Sequence, residues 1–152
     1  MNAITMLTDD HRAVKRLLEE IESTTERGVK TRQELFGRVK EMLMVHEIIE
    51  EEIFYPAMRD HPKAKDMVLE AYEEHNVVDT ILTELDQTPP DDETWGAKAT
   101  VMAENLRHHI DEEENEMFPT ARKLFEEAEL KELGEKMAAR RGTAQREVAV
   151  AR

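Results

Sequence analysis

The sequence predicts an all-α fold, a four-helix bundle followed by a short additional C-terminal helix, and three observations carry that expectation. Apolar residues recur every three or four positions along four long segments. Charged residues make up 37% of the chain and aromatic ones only 5%, which suits amphipathic helices better than a strand-rich sandwich. The chain also writes itself twice, so that it reads as two similar hairpins, the smallest design that closes a bundle with approximate two-fold symmetry.

The first stripe runs Ile4, Leu7, Val14, Leu17, Leu18 and Ile21 and fades into Glu22-Ser23-Thr24-Thr25 before a turn at Gly28. This helix carries His11. The second stripe is Leu35, Phe36, Val39, Met42, Leu43, His46, Ile49, Ile53 and Phe54, with His46 where an apolar residue belongs. Asp60-His61-Pro62 ends it, because the residue before a proline is pushed out of the α region. The third helix shows Met67, Val68, Ala71, His75, Val78, Ile81, Leu82 and Leu85 on one side. It stops before Thr88-Pro89-Pro90-Asp91-Asp92, whose aspartates suit capping of the next helix. The fourth carries Trp95, Ala99, Met102, Leu106, His109, Ile110, Glu113 and Met117. Pro56 and Pro119 sit near helix ends, where each is expected to kink or stop its helix. A fifth helix is expected from about Ala128 to Ala139, lying across the bundle on the thin stripe Leu130, Leu133 and Met137. Residues 1–140 thus read as one domain, and Arg141 to Arg152, without periodicity, as a frayed tail.

What the helices carry is also duplicated. His46-Glu47-Ile48-Ile49-Glu50-Glu51-Glu52-Ile53-Phe54-Tyr55-Pro56 recurs as His109-Ile110-Asp111-Glu112-Glu113-Glu114-Asn115-Glu116-Met117-Phe118-Pro119, with histidine, glutamates, aromatic and proline in register. Each copy contains His-x-x-x-Glu, a spacing that advances about 400° on an α-helix and points imidazole and carboxylate the same way, one turn apart. Upstream, Asp9-Asp10-His11-Arg12-Ala13-Val14 matches Glu73-Glu74-His75-Asn76-Val77-Val78, so His11 and His75 hold equivalent places. His46 and His75 each lie about 12 to 13 residues from their connection, and at about 1.5 Å per residue they meet at one height. His11 and His46 are similarly placed about the turn from Thr25 to Lys30. Four histidines (His11, His46, His75, His109) and two glutamates (Glu50, Glu113) are therefore expected at one level of the interior. Such donors suit a pair of first-row ions, iron first, with manganese or zinc also open, and two carboxylates offset the charge of cations held close together.

Composition removes other classes. The formal net charge of -14 argues against nucleic acid, which needs clustered Lys and Arg, and against an anionic membrane surface. The absence of cysteine excludes disulfides, thiolate metal sites and cysteine nucleophiles. With no basic leader segment and no run of about 18 apolar residues, a cytoplasmic location is expected.

His11, His46-x-x-x-Glu50, His75 and His109-x-x-x-Glu113, in that order and spacing, resemble the pattern of the hemerythrin-like, HHE cation-binding family over about residues 3 to 140. The resemblance implies an up-down-up-down four-helix bundle around an oxo- or hydroxo-bridged di-iron centre, with Glu50 and Glu113 bridging and the histidines terminal. Oxygen-carrying hemerythrins resemble this pattern but have a second histidine on the third helix, four residues after the first, and a His-x-x-x-x-Asp on the fourth. Here the former place is Asp79, and the latter becomes His109 or His108 with Glu113, the internal repeat favouring His109. A harder, more anionic site follows, which weakens the case for reversible dioxygen carriage and leaves room for iron sensing, peroxide turnover or nitric oxide chemistry.

The neighbouring residues have plainer readings. His108, about 100° round from His109, is read as a surface or supporting residue, and His61, before Pro62, as solvated. Asp79 and Glu47 match Lys15 and Ile110 in the repeat and are read as standing outside the ligand set. Tyr55 and Tyr72 are candidate partners for a ligand or a bound oxygen species, Tyr72 first because it lies one turn before His75. In Glu50-Glu51-Glu52 and Asp111-Glu112-Glu113-Glu114 one glutamate each is read as inward, the rest as a solvated face. Two functional classes remain. One is a binding module that holds iron to sense, store or bind dioxygen or nitric oxide. The other is an enzyme turning over hydrogen peroxide or nitric oxide at the same centre. A metal-free helical interaction protein is the third reading.

Overall fold

The computed structural model describes residues 1–150, and every regular element among them is helical, as the apolar periodicity predicts. α1 (Ala3–Glu22) is capped by Asn2, whose side-chain oxygen accepts from the Thr5 N–H at 2.8 Å. α2 (Val29–Ile49) continues through one π-helical turn (Glu50–Phe54) into α3 (Tyr55–Arg59). After a turn, α4 (Lys65–Asp86) returns along the bundle. α5 (Trp95–Glu112) passes through a second π turn (Glu113–Met117) into α6 (Phe118–Leu124). These four rods form the bundle, and α7 (Glu127–Val150) packs against α1 and α2. No described helix is long and apolar enough to cross a membrane.

Apolar burial falls into two main cores. One gathers Leu18, Val39, Leu85, Trp95 and Met102; the other gathers Leu7, Phe54, Met58, Phe118 and Leu130. The first is clamped by Arg32, which lies 4.5 Å over the Trp95 ring and donates to the Pro90 carbonyl at 2.6 Å and the Thr24 hydroxyl at 3.0 Å. This buried cation is tolerated because those partners replace its water, and it ties together the two loops at that end.

Neither proline ends its rod. Pro56 and Pro119 have no N–H and crowd the carbonyl four residues back. A wider turn relieves the crowding: the Tyr55 N–H reaches the Glu50 carbonyl and the Phe118 N–H the Glu113 carbonyl, five residues back. In that register Pro56 leaves the Glu51 carbonyl unserved, and the Tyr72 hydroxyl donates to it at 3.1 Å.

α7 corrects the expected C-terminus. It is longer than Ala128 to Ala139 and takes in most of the stretch read as frayed, whose last two positions, 151 and 152, lie outside the described residues. Leu130 and Met137 bury its first half in the second core. Ala144 and Val148 are buried with Val45, and a Cβ at Gly134 would run into the backbone of Met1 and Ala3. Glycine is therefore what lets α7 cross the start of α1 so closely. Arg140 pairs with Glu52 and Glu147, and Arg141 with Asp10.

Candidate metal centre

Seven polar or charged residues are buried among those described: Arg32 is one, and the other six are His11, His46, Glu50, His75, His109 and Glu113. α1 supplies His11, α2 His46, α4 His75 and α5 His109, while Glu50 and Glu113 each open a π turn. The Glu50 Oε1 lies 3.1 Å from His46 Nε2 and 3.2 Å from His75 Nε2. In the matching half, Glu113 Oε1 lies 3.0 Å from His11 Nε2 and 3.4 Å from His109 Nε2. Donor atoms of His11, His46, Glu50 and Glu113 all fall within 4.8 Å of one another, as do those of Glu50, His75 and His109. Glu50 belongs to both groups, so two neighbouring cation positions share a carboxylate.

The outward face of each imidazole is equally ordered. Nδ1 of His46 meets Asp10 at 2.8 Å, that of His109 meets Glu74 at 2.8 Å, that of His75 meets Glu51 at 2.8 Å and that of His11 meets Glu114 at 2.7 Å. A carboxylate only accepts, so every Nδ1 carries the proton and every neutral ring turns its Nε2 lone pair inward. The arrangement obeys the repeat. The acid before His11 or His75 serves the histidine of the next rod, and the glutamate after Glu50 or Glu113 serves α4 or α1. Glu51 and Glu114 are therefore not part of a solvated face, as the sequence alone suggests; each crosses to an imidazole.

Inward nitrogen lone pairs facing carboxylate oxygens, with the Nε2 atoms of His75 and His109 only 3.2 Å apart, repel unless a cation or protons lie among them. In the chain alone, protons serve. Burial opposes charging of His46, but Glu50, Asp10 and Glu113 outweigh it and push it up to about 10; His75 is likewise pushed up to about 9 against burial by Glu50 and Glu51. Against its own burial, Glu113 is held well below the usual carboxylate range by His109 and its other partners. One buried oxygen, Glu50 Oε2, has no hydrogen-bond partner. That orphan, with four Nε2 atoms and shared carboxylates in a dry interior, fits divalent metal ions.

Tyr55, not Tyr72, brings a phenol to the centre. Its hydroxyl donates to Glu113 Oε2 at 2.8 Å and lies 3.2 Å from Glu50 Oε1, 3.2 Å from His75 Nε2 and 3.4 Å from His109 Nε2. Burial, Glu113 and Glu50 raise it well above its ordinary range, so it keeps its proton. In the repeat its counterpart is Phe118, which stacks on His11 with centroids 5.7 Å apart. At this position the two halves differ by one hydroxyl. A cavity of about 20 Å³ lies beside the four histidines, walled by Val14, Leu43, Val78, Leu106 and Ile110 with Glu47 at its edge; it has room for one molecule the size of water.

The remaining candidates lie outside the ring of inward Nε2 atoms, although ligand atoms of Glu47, Glu51 and His75 fall within 4.8 Å of one another, as do those of Glu74, His108 and Glu112. Asp79 is exposed and hydrogen-bonds Glu47, whose carboxyl is pushed up to about 9 by burial and by Asp79. His108 is exposed and pairs with Glu112 at 2.9 Å. His61 is half-buried, its ring edge-on to Phe125.

Residues 2–121 match the Hemerythrin HHE cation binding domain family. Uncharacterized protein Rv2633c of Mycobacterium tuberculosis (strain H37Rv) and Uncharacterized protein Mb2666c of Mycobacterium bovis are each 33% identical to the chain over 145 residues, covering 92% of it and 85% of the relative. The crystal structure of a Hemerythrin HHE cation binding domain-containing protein of Mycobacterium kansasii, a Rv2633c homolog, superposes with a TM-score of 0.85 at 32% identity, covering 95% of this chain and 88% of that one.

Proposed function

The chain belongs to the hemerythrin HHE cation-binding domain family, and from that premise we propose that it is a non-haem di-iron protein, cytoplasmic, holding iron to sense, store or bind dioxygen or nitric oxide. The observation that carries the reading is the two-sided order of the histidines, each with Nδ1 fixed by a carboxylate and Nε2 turned inward. A histidine that only fills a core has no need of both. His11 and His46 would hold one ion and His75 and His109 the other, with Glu50 and Glu113 shared; manganese or zinc would answer to the same donors. Iron bound there supplies redox chemistry and a coordination position for a small ligand. Asp10, Glu51, Glu74 and Glu114 keep the tautomers that present Nε2. The apolar walls of the small cavity would keep bulk water away from a ligand held at the centre.

A second reading rests on Tyr55. A protonated phenol among the ligand atoms is a donor placed where a bound oxygen species would need one. The same centre would then disproportionate hydrogen peroxide, two molecules giving one of dioxygen and two of water. Metal analysis of protein purified without chelator is expected to give two iron atoms per chain, and no uptake after anaerobic reconstitution with ferrous salt would overturn both readings. Peroxide consumption that disappears in Tyr55→Phe while iron is retained would favour turnover over binding.

A further inference from the structure

The pseudo-two-fold order of the four outer carboxylates is broken at one point. Asp10, which accepts from His46, is also gripped by Arg141 of α7, through two hydrogen bonds of 2.9 and 2.6 Å, one to each oxygen. Among the described residues, no lysine or arginine pairs with Glu51, Glu74 or Glu114. A guanidinium fork fixes a carboxylate in plane and direction as a single ammonium cannot. The carboxylate so fixed is only 14% exposed, so water does little of this work. Arg141 also lies beyond residues 2–121, those that match the family.

We propose that Arg141 is a positioning residue for the metal centre: through Asp10 it sets the orientation of His46, and the C-terminal helix thereby controls one of the two cation positions and not the other. The effect on metal rests on the di-iron reading; the positioning of His46 does not. With Arg141 in place, Asp10 Oδ2 accepts from both Arg141 and the His46 Nδ1–H, and that bond keeps the His46 Nε2 turned towards Glu50. Without it, Asp10 is free to turn to water, and His46 loses the partner that orients it. Loss of an outer partner of a metal-binding histidine typically weakens metal affinity by about 10- to 100-fold. That loss is expected at the position served by His11 and His46.

The experiment compares Arg141→Leu, Arg141→Lys and Asp10→Asn with Arg140→Ala, which loosens α7 through Glu52 and Glu147 without touching the site. In metal-free protein, nitrogen-15 spectra of the imidazoles report how far the His46 Nδ1–H is protected from exchange with water. Protection is expected in the wild type and in Arg140→Ala, to be lost in Arg141→Leu and Asp10→Asn, and to be partly restored in Arg141→Lys. Anaerobic titration with ferrous iron is expected to show one of two equivalents weakened by about 10- to 100-fold in Arg141→Leu. Unchanged protection and affinity in Arg141→Leu would overturn the proposal, as would an equal loss in Arg140→Ala, which would make α7 mere packing. A wild type that takes up no iron would end the di-iron reading, while the protection of the His46 proton would still decide the role of Arg141.

Discussion

Tyr55→Phe removes one oxygen atom from a fully buried place and leaves the ring's packing intact. In the metal-free protein the lost hydroxyl donates to Glu113 at 2.8 Å. A hydrogen bond to a charged group contributes about 1.5–3 kcal/mol. At about 2–4 °C per kcal/mol for a chain of this size, the melting temperature is expected to fall by about 3–12 °C. With iron bound, the cations take over the charge of Glu113, and the shift is expected to shrink to less than about half of that. The assay is thermal unfolding by circular dichroism, once in chelator and once with ferrous iron under argon. Tyr72→Phe is the control: its hydroxyl serves a backbone carbonyl at the rim, so its smaller loss of about 0.5–1.5 kcal/mol is expected to be equal in both forms. An unshifted Tyr55→Phe in chelator, or one shifted equally with and without iron, would refute the placement of this phenol between the ligand carboxylates.

Other perturbations separate the site from the scaffold. Glu50→Ala and Glu113→Ala are each expected to lose at least one equivalent of bound metal by elemental analysis, whereas His61→Ala keeps both. Gly134→Ala is expected to lower stability by about 1–3 kcal/mol in denaturant titrations, because α7 must move off the backbone of Met1 and Ala3. The pH dependence has opposite signs in the two forms. His46 and His75 stand at about 10 and about 9 in the folded metal-free chain, above the ordinary imidazole value of about 6.5. Their stabilisation is full below that ordinary value and is lost progressively as pH rises from about 6.5 through the folded values of about 9 and 10, so the melting temperature in chelator is expected to fall across that whole window. Metal needs the rings neutral, so iron is expected to leave as the solution is acidified, read by absorbance of a ferrous chelator complex.

The six inward donors were legible because two independent regularities, helical spacing and internal repetition, point at the same residues. The outer carboxylates were written in the same repeat, as the acid before His11 and His75 and the glutamate after Glu50 and Glu113. Helical spacing turns adjacent residues about 100° apart, so a sequence offers no reason to bring Glu51 or Glu114 back to an imidazole. That reason lies in the neighbouring rod. Tyr55 was obscured differently: five residues on an α-helix is about 500°, well off the line of Glu50. Only the wider turn ahead of Pro56 brings the two together, and Tyr72 looked better by ordinary spacing. The first half of α7 was legible in Leu130, Leu133 and Met137; its second half escaped because the contacts there are made by Ala144, Val148 and two arginines, too sparse a set to read as an apolar stripe.

The central claim is that the paired hairpins enclose two cations between Glu50 and Glu113. Crystals grown from iron-loaded protein, measured on both sides of the iron absorption edge, address it directly. The expected anomalous map has two peaks inside the ring of four Nε2 atoms, one beside His11 and His46 and one beside His75 and His109. Empty density there, or peaks confined to the outer group of Glu74, His108 and Glu112, would contradict it.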